Sequence, residues 1–135
     1  MKKRCVYILS IFALLFLSAC SAGKDHKEKL RDVEFTVVGQ NEAPEELTEI
    51  IREEREKAFM LTYADKGWLY LARGYGERET SGYSVEVKEC YETEDVIAIK
   101  TELIGPQADE EIAEESTYPY IVVKIEYSDK HVIFE

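Results

Sequence analysis

The chain has 135 residues, 17 basic and 28 acidic, for a formal net charge of −11. So acidic a surface is repelled by phosphate backbones, because nucleic-acid binding depends on basic residues that release counterions; nucleic acid is a poor partner class. The length suits one domain with a single hydrophobic core.

The first element is an address. Lys2, Lys3 and Arg4 precede an apolar stretch from Val6 to Leu17, broken only by Tyr7 and Ser10. This reads as a secretory signal peptide over residues 1–19, too short for a comfortable membrane span. Leu17, Ser18, Ala19 and Cys20 fit a bacterial lipobox, with cleavage before Cys20 and a diacylglycerol on its thiol. Two acyl chains hold a soluble domain at a membrane where one lets it go, since each buried methylene contributes about 0.8 kcal/mol. The expected mature protein is anchored to the extracytoplasmic side of the cell membrane, with 14 basic residues against 28 acidic, a net charge of −14. Cys5 leaves with the leader and Cys20 carries lipid, so Cys90 remains alone and no intrachain disulfide is expected.

Residues 20–31 read as the lipidated cysteine and a short polar tether, and residues 32–135 as the domain. VEFTVV (33–38) is rich in β-branched residues and predicts a first strand. From Pro44 the period changes to about 3.6, with Leu47, Ile50, Ile51 and Ala58 on one stripe among glutamates, arginines and a lysine. That pattern predicts an amphipathic helix. Three hairpins follow: 59–63 with 68–73 across AlaAspLysGly, 83–91 with 96–104 across GluThrGluAsp, and 120–127 with 131–135 across SerAspLys. The fold expected is α+β, one N-terminal helix packed on a twisted antiparallel sheet of about six or seven strands.

Catalytic chemistry is scarce. Histidine is limiting, since His26 lies in the tether and only His131 in the domain; Cys90 has no neighbouring pattern that would lower its pKa. There is no CxxC or HxxxH spacing for a metal, and GlyTyrGly (74–76) lacks the third glycine and the following helix of a phosphate cradle. The acidic connection 105–117 lacks the alternating spacing of a calcium loop and reads as a solvated loop. No catalytic residue, cofactor or metal is expected, apart from the acyl lipid on Cys20. Two stretches stand out instead: Thr80, Ser81, Gly82 and Tyr83, a flexible corner before a strand, and Tyr118, Pro119 and Tyr120, an aromatic strand entry. Small residues beside aromatics are a common composition for recognition loops, so these seven are the candidate contact residues.

GlyTyrGlyGlu (74–77), ThrSerGlyTyrSerValGluVal (80–87), LeuIleGlyPro (103–106) and SerThrTyrProTyrIleValValLysIle (116–125) together resemble the PrcB C-terminal domain family, over a stretch running from Pro44 onward. The resemblance implies a non-catalytic lipoprotein, a binding or stabilising subunit of a cell-surface protease complex, with a surface protease or other envelope protein as partner. The family corner is usually Thr, Gly, Gly, Tyr; Ser81 stands here in place of the first glycine, and a positive φ at that position would strain it. ThrSerGlyTyr also looks like the Thr-Thr-Gly-Tyr or Phe loop of chagasin-type protease inhibitors. That likeness implies the alternative of an inhibitor-like module using residues 80–83. The anchor is checked by fractionation: Cys20→Ala should move the protein from the membrane to the soluble fraction.

Overall fold

The computed structural model describes residues 28–39 and 41–135. The expected leader, Cys20 and the expected tether as far as residue 27 lie outside the described residues. The domain holds eight strands and one helix in chain order: β1 (Arg31–Asp32), β2 (Thr36–Val37), α1 (Glu45–Glu54), β3 (Ala58–Asp65), β4 (Trp68–Tyr75), β5 (Ser84–Glu92), β6 (Val96–Ile104), β7 (Tyr120–Glu126) and β8 (His131–Phe134). The expected single sheet is not what forms. The protein is mostly β, with two four-stranded sheets in the orders β1-β5-β6-β8 and β2-β7-β4-β3, and α1 as its one short helix among the described residues.

The reason lies in β4 and β7. Leu69 and Leu71 of β4, with Ile121, Val123 and Ile125 of β7, meet Cys90, Ile97 and Ile99 of the other sheet in one core. The intervening Tyr70, Ala72 and Val122 point the other way and pack with Leu47 and Ile51 of α1 and Phe59 of β3 in a second. Their sheet is therefore the middle layer, covered by the helix on one face and by the second sheet on the other. Alternation requires a strand to bury alternate residues, but it does not say against which sheet. Each fully buried Leu, Ile or Val contributes roughly 1.5–3 kcal/mol, so two-sided burial makes these strands the most heavily stabilised part of the domain.

Two of the three expected hairpins form. β3 and β4 pair antiparallel from Ala58↔Tyr75 to Asp65↔Trp68, turned by Lys66 at φ 50° and Gly67 at φ 86°. Two consecutive positive φ values are what a two-residue type I′ loop needs to match strand twist. β5 and β6 pair antiparallel with a bulge between Val87 and Glu89. That extra residue resets the alternation: Val85 and Val87 pack on the core before it and Cys90 after it, while Lys88 and Glu89 stay exposed. Past Cys90 the β5 edge pairs with β1, so residues 84–89 present an edge bearing Glu86, Lys88 and Glu89, charges that discourage further strand addition.

The third hairpin does not form. β8 joins the other sheet, parallel to β6, with Val132 opposite Ile97 and Phe134 opposite Ile99. Parallel neighbours need a long crossover, and here β7 in the facing sheet supplies it. The expected first strand is also divided. Arg31 and Asp32 pair with Glu92 and Tyr91 of β5, and Thr36 and Val37 with Lys124 and Val123 of β7. This segment ties together one edge of each sheet. Leu30 and Arg31, read as the end of the tether, are already bonded to β5, Leu30 through its N–H to the Glu92 carbonyl at 2.8 Å. The Glu92 carboxylate meets both Lys130 and Arg31, which hold its pKa below the usual carboxylate range, Lys130 contributing most.

The registers define two ends. Trp68, Glu92, Val96 and Glu126 stand at the end where the chain enters; Tyr75, Ser84, Ile104 and Tyr120 stand at the other. Eight residues of β4 separate them by about 24 Å. The glycine of β4 is fixed by packing: a methyl carbon on Gly74 would lie 2.1 Å from Phe59 Cε1, because the Phe59 ring lies over it. Gly74→Ala should lower stability by roughly 1–3 kcal/mol in urea unfolding, as overpacking does. Adding Phe59→Leu should recover part of that loss, which a double-mutant cycle measures.

Candidate functional site

Both stretches singled out in the sequence lie at the end away from the chain entry, and the structure joins them. The β4–β5 connection runs through residues 76–83 and the β6–β7 connection through 105–119. Arg78 and Thr117 form a two-way backbone bridge, Arg78 N–H donating to the Thr117 carbonyl at 2.8 Å and Thr117 N–H returning at 2.9 Å. The Thr117 hydroxyl donates to the Thr80 carbonyl at 2.7 Å. Ser81 N–H donates to the Ala113 carbonyl at 3.0 Å, and Ala113 N–H donates to Ser81 Oγ at 2.8 Å. The corner and the acidic connection are thus one hydrogen-bonded unit.

The serine at position 81 has a physical account. Lys66 is the one non-glycine residue with positive φ among the described residues, so Ser81 carries no such strain. The left-handed conformation falls on Gly82, at φ 92°. A Cβ there would stand 2.7 Å from Pro106 Cβ and 3.3 Å from Ile112 Cγ2, so the absent side chain lets the acidic connection close onto the corner. The Ser81 hydroxyl then accepts a bond that a glycine would leave to solvent.

All seven candidate residues are partly buried. Tyr83 lies near the Arg78 guanidinium, which is 5.8 Å from its ring centroid, and a Cβ at Gly105 would stand 3.6 Å from Tyr83 Cε1. Tyr118 carries the Arg55 guanidinium at 4.4 Å, a cation–π distance. The Pro119 carbonyl accepts from Tyr75 N–H at 3.1 Å, and Tyr120 pairs with Gly74, its ring 6.4 Å from that of Phe59. Arg55 and Arg78 are not among the sequence candidates. Arg55 follows the helix and reads as one charge among many; only the tertiary approach of residue 118 gives it a role. Around them, residues 107–116 are exposed and hold Asp109, Glu110, Glu111, Glu114 and Glu115. The surface is therefore a set of half-covered tyrosines under two guanidinium groups, with an acidic rim.

Three of its serine and threonine hydroxyls serve the backbone. Thr80 Oγ1 donates to the Ser81 carbonyl, and the Thr117 and Ser81 hydroxyls are committed as described. Cys90 lies elsewhere, buried between the sheets, where desolvation pushes its thiol up to about 11. A thiol so raised is protonated at neutral pH and weakly nucleophilic. His131 stands opposite Val96, whereas Cys90 stands opposite Ile99, which places the two about 14 Å apart by strand spacing. No group of three or more His, Cys, Asp or Glu suited to a metal occurs among the described residues, the 109–115 acids included. Among them, too, no helix is long and apolar enough to cross a membrane.

Residues 69–126 match the family described as PrcB C-terminal. This span is narrower than the stretch from Pro44 onward over which the sequence resembles that family. It begins in β4 and ends in β7, so it contains both connections of the joined surface and leaves out the helix, β1 to β3 and β8. No curated protein and no solved structure matches the chain. Ser81→Ala should speed amide exchange at Ala113 and its neighbours while leaving the β4 and β7 amides protected. The lost bond should cost about 0.5–1.5 kcal/mol.

Proposed function

We propose, starting from residues 69–126 as a segment of the PrcB C-terminal family, that the protein is a non-catalytic, membrane-anchored subunit that binds and stabilises a cell-surface protease complex. The observation that carries this reading is the overlap of the family segment with the joined loops at the far end of the sandwich. The segment spans β4 to β7, whose connections are locked together by the Arg78–Thr117 and Ser81–Ala113 bonds. A surface held in one conformation before binding loses less entropy on association, which suits an assembly subunit. Half-covered tyrosines and an arginine pair are the residue types that dominate protein interfaces.

The non-catalytic reading is supported by hydroxyls engaged with backbone and by a buried, high-pKa thiol. The inhibitor-like alternative lacks such support. A wedge for a protease cleft projects, whereas residues 80–82 are tied back to 113–117 and backed by Pro106 and Ile112. Lipid attachment at Cys20 puts the domain on the outer side of the membrane, within reach of an envelope partner.

The test uses the full lipoprotein in its native envelope, with a photo-crosslinking residue at exposed Glu79 or Ser116. Both should yield an adduct containing a protease, and deletion of the chain should lower the abundance of that protease. Adducts from both positions that contain no protease would overturn the proposal.

A further inference from the structure

The end where the chain enters the domain carries a different surface. Phe35, Trp68 and Tyr127 line one open hollow of about 1170 Å³. Their side chains are poorly covered: Phe35 is 39% exposed, Trp68 42% and Tyr127 54%. Val37, next to this wall, and Leu30, just before β1, are exposed too. Trp68 continues the row of Tyr70 and Ala72 that packs with α1, but unlike them it stays exposed. Monomeric soluble domains rarely leave several large apolar side chains together on one surface unless something covers them.

We infer that this aromatic end seats on the lipid bilayer, at the level of the headgroups. The inference rests on the reading of Cys20 as lipidated. Glu28 follows Cys20 by eight residues, which at full extension reach about 28 Å, so the entry end cannot stand far from the lipid. The composition fits that depth. Trp and Tyr are enriched at membrane interfaces, where an apolar ring with a polar edge suits a boundary of that kind. Lys124 Nζ lies 4.2 Å from the Trp68 ring centroid, and Lys66 lines the same hollow, so ammonium groups stand beside the indole where headgroup phosphates would be.

Charge separates this end from the rest. The hollow is lined by three basic residues and four acidic ones, a net of −1, while the mature chain carries 14 basic against 28 acidic. Two of the four carboxylates are already engaged, Glu92 with Arg31 and Lys130, and Asp32 with Lys29. Seating by this end turns the joined loops of residues 76–83 and 105–119 away from the membrane, about 24 Å further out along β4.

Trp68 is the chain's single tryptophan, so tryptophan fluorescence reports on this site alone. The full lipoprotein is reconstituted in phosphatidylcholine vesicles, with and without bromine on the acyl chains, and recovered by flotation. The expected result is a blue-shifted emission quenched by about half or more in brominated lipid. Phe35→Asp with Tyr127→Asp, both at exposed positions, should largely abolish the quenching while far-ultraviolet dichroism is unchanged. A protein that floats with the vesicles but whose Trp68 is unquenched by bromine overturns the seating alone. One that does not float overturns the anchor reading and the seating with it. A blue shift that depends on protein concentration and not on lipid assigns the surface to a second copy, and likewise overturns the inference.

Discussion

Burial of β4 and β7 on both faces is the constraint from which the rest of the domain follows. Leu69, Leu71, Val123 and Ile125 must be covered from one side, and Tyr70, Ala72 and Val122 from the other. Neither one sheet nor one helix meets both requirements. The second sheet closes over the first set, and α1 with Phe59 closes over the second. The connections at the end away from the chain entry then take their positions because β4 hands the chain to β5, and β6 to β7, from one sheet to the other. Those two crossings leave side by side at the same end, and their backbones pair.

What the sequence shows of this depends on how local the cause is. The β3–β4 hairpin is legible because Lys66 and Gly67 sit between two strand-like runs, and the α1 stripe because Leu47 and Ile51 are four apart. The third hairpin misleads, since SerAspLys between two β-rich runs carries the same signature whether the chain turns within a sheet or crosses to another. The continuous apolar run in β4 is the available clue to a middle layer, because a strand with one wet face would alternate. The candidate residues are legible as types, a flexible corner and an aromatic entry. Their partners are not, because Ala113 and Thr117 have no side-chain signature of a backbone pairing with residues 78–81.

The serine at position 81 illustrates how a substitution is absorbed. Gly82 takes the left-handed turn and the serine adopts ordinary backbone, so its hydroxyl is free to hold the acidic connection. The corner and the connection form one hydrogen-bonded rim with charge on its outer side. At the opposite end, by contrast, aromatic side chains remain uncovered around the entry of the chain. The domain is polarised along its strands, one end organised by internal hydrogen bonds and the other by surface left open.

The parallel strand β8 carries a consequence for the order in which the domain can be made. Val132 and Phe134 pack against the core from β8, which follows the other described strands, and Glu135 N–H bonds the Ile99 carbonyl at 2.8 Å. Synthesis proceeds from the N-terminus, so the sandwich interior beside Ile97 and Ile99 stays unsealed until β8 has emerged. A chain cut short before His131 would carry that opening permanently, with an apolar strand edge exposed to any neighbour. In this fold β8 acts as the latch on the interior beside Ile97 and Ile99.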